Sequence, residues 1–336
     1  MEQIMTAGLN VAVQMDPLER VDIDGDSSFA MMLEAQARGS HLFVYGVESL
    51  ALSEGTREQG KGYSNRLTAL VRPVRVRREK GHHAIFGEPV RRDLSEMDVI
   101  LMRQDPPFDM AYITATHMLE HVHGIGPGRA LVVNDPRFVR DSPEKLLVTH
   151  YPELMPPTLV TWDHQEIRTF RQKWKDIIVK PLFGNGGSGV FRIREDDQNL
   201  NALLELHFAR SREPLMIQRY EAAVRSGDKR IILADGIPIG AINRVPAEGE
   251  ARSNMHVGGV AKKVDLTARD REICEAIGPM LKERGLIFVG IDVIGEWLTE
   301  INVTSPTGLQ ELARFDGINP AGILWDCIEA RLAAGV

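Results

Sequence analysis

The sequence predicts an α/β chain in which a parallel-sheet half is followed by a mixed α+β half. Three observations predict it. Strand, helix and strand alternate at βαβ spacing from residue 11 to 45, and the pattern returns from 98 to 133. A proline-bearing polar stretch near 140–157 (DSPEK, MPPT) then interrupts the apolar pattern. Beyond it, short strands sit close together around turn signals such as Asp235-Gly236.

The elements follow in order. VAVQM at 11–15 reads as a buried strand ending at Asp16-Pro17. Asp26 or Ser27 is placed to cap a helix through FAMMLEAQARG, with Gly39 as its stop. HLFVY at 41–45 is the next strand, DVILM at 98–102 another, then a helix near 110–122 and ALVV at 130–133. Each of these strands ends in a polar loop carrying proline (MDP, RQDPPFD, NDP). Ligands of open α/β sheets sit at the carboxyl ends of strands, so these loops are candidates to line a site. In the second half, Asp163-His-Gln-Glu166 has the spacing of a capping box opening a helix to about Lys175. Strands are expected at 176–180, 190–193 and 215–218, with a helix near 198–211. A hairpin joins 230–234 to 237–245, Thr267 caps a helix that stops at Gly285, and strands cover 286–294 and 298–303. A last amphipathic helix runs from about 320 to 334.

Composition narrows the function. Of 336 residues, 43% are hydrophobic and 26% charged, the values of an ordinary globular protein. A net charge of −7 argues against a nucleic-acid binder working by bulk attraction. Cys274 and Cys327 are too few for a disulfide framework or a CxxC metal site. No run approaches the ~18 apolar residues of a membrane span. MEQIMTAGLN has neither a basic start nor an apolar core, so no secretory signal is expected. A soluble cytoplasmic enzyme is the expectation. One region departs from the acidic balance: between Arg57 and Arg92 lie ten Lys or Arg and three acidic residues. RPVRVRR at 72–78 alternates as an exposed edge strand does, which makes it a solvated basic face or an anion funnel.

The chemistry concentrates in the second half. Gly184-Asn185-Gly186-Gly187-Ser188-Gly189 matches GxGxxG, but a strand precedes it and alternating VFRI follows. A dinucleotide turn must open a helix, and a Walker A loop needs Lys-Ser/Thr after its last glycine. Neither context holds. A glycine-rich hairpin flap whose N–H groups approach phosphates fits, with Lys180 supplying charge from the strand before it; the bland reading is a mobile surface loop. The second constellation is the hairpin FVGIDVIGEWLTEIN at 288–302. If its turn has three residues, Gly295-Glu296-Trp297, paired positions sum to 592, so Leu298 faces Ile294 and Glu300 faces Asp292. A two-residue turn instead sets Glu300 opposite Ile291, and the polar pattern favours the first register. Opposed carboxylates ~5 Å apart repel unless a cation lies between them. With Asn302 they form a hard-oxygen set of the Mg²⁺ type. A solvent-facing polar hairpin and a glycosidase acid–base pair are the other readings, and the latter leaves the flap unexplained. The third feature is basic: Lys229, Arg230, Arg244 and Arg252. Arg252 lies in residues 246–259, a loop of fourteen residues with three glycines and no apolar period. Arginine suits bidentate binding of carboxylate or phosphate.

In this order, flap, strand lysine, arginine hairpin, long loop and D-(x7)-E-x-N hairpin resemble the ATP-grasp carboxylate–amine ligases. MDP, DSSFAMMLEAQ, MRQDPPFD, VVNDP, EKL, GLIFVGIDVIG and TEINVTSPTG resemble the bacterial glutathione synthetase family more closely still, from about residue 11 to the end. The resemblance implies an N-terminal α/β pre-ATP-grasp domain over 1–140. It implies a central lid subdomain over 141–217 and a C-terminal subdomain over 218–336. It also implies that Lys145, Lys180, the flap residues Gly184, Asn185, Gly186, Gly187, Ser188 and Gly189, and Gln218, Tyr220 and Glu221 bind ATP. Arg230, Arg244, Arg252 and Asn254 are implied substrate contacts, with Arg230 and Arg252 catalytic. Arg219 stands at the hinge where a smaller polar residue is expected. Asp292, Glu300 and Asn302 are the implied ligands of two Mg²⁺ ions, with Mn²⁺ as a substitute. The implied reaction joins γ-glutamylcysteine to glycine at the expense of ATP, in a homo-oligomer (dimer or tetramer) that needs no nucleic acid or membrane. A ligase for glutamate or D-alanine, or a silent nucleotide-binding regulator, are the alternatives.

Overall fold

A computed structural model of the chain describes residues 8–58, 62–184, 186–247 and 259–335. Three sheets carry the fold. In the first, strands His41–Tyr45, Asn10–Gln14, Val99–Met102 and Leu131–Val133 lie side by side and parallel, as βαβ spacing requires. Asp26 caps the first crossover helix, Ser27–Ala37, by accepting from the Phe29 N–H, and Gly39 takes the left-handed conformation just beyond its end. Asp109 caps the second helix, Met110–Glu120, in the same way.

The basic strand does not lie at the edge. It belongs to Gly62–Val76, whose basic half pairs with His41–Tyr45 on one side and Ala84–Phe86 on the other, Val74 facing both Leu42 and Phe86, while Ala51–Glu58 and Val90–Asp93 flank the half before it. Leu67, Ala69 and Val71 are buried in one core cluster and Val74 and Val76 in the other, so the two halves of this interior strand bury opposite faces, and over 74–77 valine turns inward while Arg75 and Arg77 turn to solvent. Alternation alone does not distinguish an edge strand from an interior strand with one wet face.

The second sheet is antiparallel throughout: Phe191–Ile193, Ile177–Pro181, Leu215–Arg219 and Thr158–Thr161. Helices His164–Trp174 and Leu200–Phe208 cover it around Ile167, Ile177, Val179, Leu204 and Ile217. Asp163 accepts from the Gln165 and Glu166 N–H groups, while no bond from the Glu166 side chain closes a box. The third sheet orders Val260–Lys263, Ile237–Val245, Asp228–Ala234, Phe288–Ile294 and Trp297–Asn302, all antiparallel. Its Asp235-Gly236 turn has positive φ at both residues, the geometry that twists with the strands it joins. The complete capping box lies at Thr267 and Asp270, opening the helix Ala268–Glu283. Both large apolar clusters contain side chains of the first and third sheets, so these two pack as one body, while the second sheet keeps its own cluster. Among the described residues no helix is long and apolar enough to cross a membrane.

Asp135 shows one local contribution to stability. It caps the helix Pro136–Arg140 and lies 3.1 Å from Arg137 and 3.3 Å from His123. Burial opposes its charge, yet the bonds to His123 and Arg137 prevail and hold its carboxyl at about 2 instead of 3.8. A depressed carboxyl stabilises the fold above its unfolded pKa, and the contribution is lost as pH falls through the folded one. Asp135→Asn keeps the cap but not the charge. Urea unfolding should show a loss of about 1–2 kcal/mol at pH 7 that closes between pH 4 and 2. A gap that stays constant with pH would assign the effect to shape instead of charge.

Candidate active site

The 288–302 hairpin sets the centre of the site. Glu300 pairs with Asp292 and Asn302 with Gly290, the register whose partners sum to 592. The turn, however, has two residues, so Trp297 faces Ile294 and Leu298 faces Val293, where a three-residue turn sets Leu298 against Ile294. A bulge at Thr299 then restores the polar register, and the Thr299 hydroxyl donates to the Asp292 carbonyl at 3.1 Å. Bulges commonly re-aim side chains next to active sites, and this one turns Glu300 back toward Asp292.

Across the sheet, Arg230 pairs with Asp292 and Arg244 with Asp228. Alternation puts Asp228, Arg230, Arg244, Asp292, Glu300 and Asn302 on one face. Arg230 grips Asp292 with both guanidinium arms, Nε to Oδ1 at 2.5 Å and Nη2 to Oδ2 at 3.0 Å. Arg244 reaches Asp292 at 2.9 Å and Asp228 at 2.6 Å. Asn302 Nδ2 lies 3.5 Å from Asp292. Burial alone drives a carboxyl upward, but Arg230 and Arg244 hold Asp292 far below the usual carboxylate range.

Two lysines approach Glu300 from the other side. Lys180 Nζ is 3.6 Å from its carboxylate and Lys145 Nζ 3.7 Å. Lys145 also donates to Glu144 at 2.5 Å and to the Gly184 carbonyl at 2.6 Å, which ties the helix Glu144–Leu147 to the root of the flap. The two amines respond differently. Burial pulls Lys180 down, and Lys145 next to it adds repulsion. Lys145 is desolvated as well, but Glu300 and Glu144 outweigh this and raise it. Glu144 is pushed up by burial and by Glu300.

The flap is the strand–loop–strand its context implies, since Ile177–Pro181 and Phe191–Ile193 pair antiparallel on either side of it. Gly186, Gly187 and Gly189 have φ between +63° and +77°, conformations that admit glycine without strain. At the hinge, Gln218 donates to Thr158 at 3.0 Å, the Tyr220 ring lies under the Arg192 guanidinium, and Arg219 bonds Glu221 at 2.7 Å. Arg219 thus spends its charge on Glu221.

These groups share one cavity of about 940 Å³ with walls from all three sheets. It gathers Lys145, Lys180, Gly184, Gly186, Gly187, Ser188, Gln218, Tyr220, Glu221, Arg230, Arg244, Asp292, Glu300 and Asn302. Gly189 lies in the same flap outside the lining set, while Asn185, Arg252 and Asn254 lie outside the described residues. Of the three proline loops, MDP and RQDPPFD reach the cavity and NDP does not. Asn134 instead bonds the Phe288 and Val303 carbonyls at 2.7 Å and joins the first and third sheets. Arg103, Glu144 and Thr304–Thr307 line the cavity as well, beyond the site residues that the motifs mark individually. Arg103 is buried and bonds Ser28 and the Pro306 carbonyl at 2.9 Å. Its place at a strand's carboxyl end was the available signal.

Asp292, Glu300 and Asn302 offer two carboxylates and an amide oxygen, a donor set that suits a hard divalent cation. Among the described residues no three His, Cys, Asp or Glu side chains converge, so the protein donors gathered here are two carboxylates and one amide. The four cations around these carboxylates neutralise them without a metal, and triphosphate oxygens are the natural exchange partners for those cations.

Solved structures share this architecture. A D-cycloserine synthetase superposes with a TM-score of 0.65 at 13% identity, covering 96% of this chain and all of its own. An ATP-grasp RimK domain protein from Sphaerobacter thermophilus gives 0.60 at 14% identity, covering 95% and 98%. At such identities the likeness establishes the ATP-grasp fold. Sequence relatives are far nearer. The "Glutathione synthetase" of Brucella melitensis is 57% identical over 96% of this chain and 99% of its own length, and that of Mesorhizobium japonicum 56% over the same shares. Residues 9–140 match the prokaryotic glutathione synthetase N-terminal domain and residues 144–317 its ATP-grasp domain, and the chain belongs to the prokaryotic glutathione synthetase family.

Proposed function

We propose that the chain joins γ-glutamylcysteine to glycine with cleavage of ATP to ADP and phosphate. The observation that carries this reading is the meeting of Lys145, Lys180, Arg230 and Arg244 around Asp292 and Glu300 in one cavity under a glycine flap. A carboxylate is a poor acyl electrophile. In the first step a carboxylate oxygen of the cysteinyl residue bonds the γ-phosphorus of ATP, and the bond to the ADP oxygen breaks. The glycine amine then attacks the acyl carbon, phosphate leaves with the electron pair of the C–O bond, and the amine gives up a proton. No covalent enzyme nucleophile is needed. Buried Cys274, whose thiol burial pushes up to about 12, is unsuited to be one.

Each group has a task. Lys145 and Lys180 bind the phosphate chain and offset charge that builds during transfer. The Gly184–Gly189 flap presents N–H groups to the phosphates, and Gln218, Tyr220 and Glu221 form the wall for the base. Arg230 and Arg244 fix the substrate carboxylate and the transferring phosphoryl group. Asp292, Glu300 and Asn302 hold two Mg²⁺, which when bound neutralise phosphate oxygens. Arg252 and Asn254 complete the substrate contacts in this reading.

The test is a phosphate-release screen. ADP and phosphate should appear only when γ-glutamylcysteine, glycine and Mg²⁺ are all present. Equal rates with glutamate or D-alanine as the acid would overturn the assignment. Hydroxylamine in place of glycine should yield a hydroxamate, and failure to trap one during turnover would remove the acyl phosphate from the mechanism.

A further inference from the structure

The basic stretch of the first sheet takes no part in the reaction just described, yet it lies against one wall of the cavity. That wall is the loop 16–26, with five acidic residues against one arginine, from which Asp16, Arg20, Asp22 and Asp26 line the cavity. The basic stretch holds the loop from behind. His83 Nε2 donates to the Leu18 carbonyl at 2.8 Å. Arg78 donates to the Ile23 carbonyl at 3.5 Å and, at 2.7 Å, to the Gln310 side-chain oxygen. Buried Gln310 in turn donates to the Ile23 and Asp26 carbonyls, each at 3.1 Å. Arg72 meets Glu19 at 2.9 Å and Lys80 meets Asp24 at 3.4 Å. Those two ion pairs are exposed and individually weak, so the Arg78–Gln310 relay and His83 set the position.

We propose that Arg78, His83 and Gln310 are positioning residues that brace loop 16–26, and that this loop forms the acid-substrate end of the cavity. The inference rests on the ligase reading above, in which the nucleotide lies against the second sheet and the flap. Wrong placement of a loop that selects the acid weakens that substrate and spares ATP.

The experiment uses the full chain with Arg78→Met and Arg78→Lys. Arg78→Met should raise KM for γ-glutamylcysteine ~10-fold, leave KM for ATP within about two-fold, and speed hydrogen exchange in peptides covering 16–26. Arg78→Lys should recover most of both changes. Equal rises in both KM values would overturn the proposal, as would faster exchange with an unchanged acid KM, or no change in either. Arg72→Ala, at a side chain 39% exposed, should move the acid KM about two-fold in the same direction and keeps the question decidable if Arg78→Met does not fold. Wild-type turnover of γ-glutamylcysteine is the control: its absence would sink the ligase reading, while exchange at 16–26 still reports on the brace.

Discussion

Glu300→Gln is expected to cut turnover ~100-fold or more while the protein stays folded. The substitution keeps size and hydrogen bonding and removes one charge from a carboxylate flanked by Lys145 and Lys180 and set opposite Asp292. Metal charge stabilisation of phosphoryl transfer supplies several kcal/mol, and two decades of rate correspond to about 2.7 kcal/mol. Stability should change little, because two opposed effects accompany the loss. The lysines lose a counter-charge, and Glu144, which Glu300 pushes up, loses a repulsion. Titration of Mg²⁺ against the ATP-bound variant gives a readout independent of rate, and it should show weaker binding. A near-normal rate with unchanged Mg²⁺ affinity would mean that the cations sit elsewhere.

What is legible in the sequence depends on the range of the interactions involved. Strands and helices with a strong period were legible to within a residue or two: His41–Tyr45 and Pro320–Ala334 stand where the pattern sets them. The pairing of Asp292 with Glu300 was legible too, because burying one face of a hairpin leaves few registers. The route to it was not. A bulge at Thr299 and a three-residue turn produce the same pairing at Glu300, and only the backbone distinguishes them. The interior position of Gly62–Val76 depends on which strands arrive beside it, His41–Tyr45 on one edge and Ala84–Phe86 on the other. Arg103 was missed for a similar reason. It stands in a loop already marked as a cavity liner, but its contacts, Ser28 and Pro306, are 75 and 203 residues distant. Single-residue roles assembled from distant segments leave no periodic trace.

Lys180→Met should separate function from stability. Lys180 is almost completely buried, and its nearest carboxylate, at 3.6 Å, is shared with Lys145. Burial, with Lys145 adding to it, pulls this amine below the ordinary lysine range. For a base with a depressed folded pKa, the unfolded chain binds more protons as pH climbs toward 10.5. Stability therefore rises with pH through that window, and at neutral pH the charged amine costs the fold free energy. Methionine has nearly the same volume and no charge, so the variant should unfold no more easily than the wild type at pH 7, and its advantage should shrink at alkaline pH. Activity should move the other way. Without the ammonium the phosphate chain loses a cation that strengthens in the transition state, and kcat/KM for ATP should fall ~100-fold or more. In the wild type, kcat/KM for ATP should decline as pH rises through a value below 10.5, and the variant should lack that limb. A variant that is both less stable and fully active would show that Lys180 is a structural lysine, and the phosphates would then have to be bound by Lys145 and the flap.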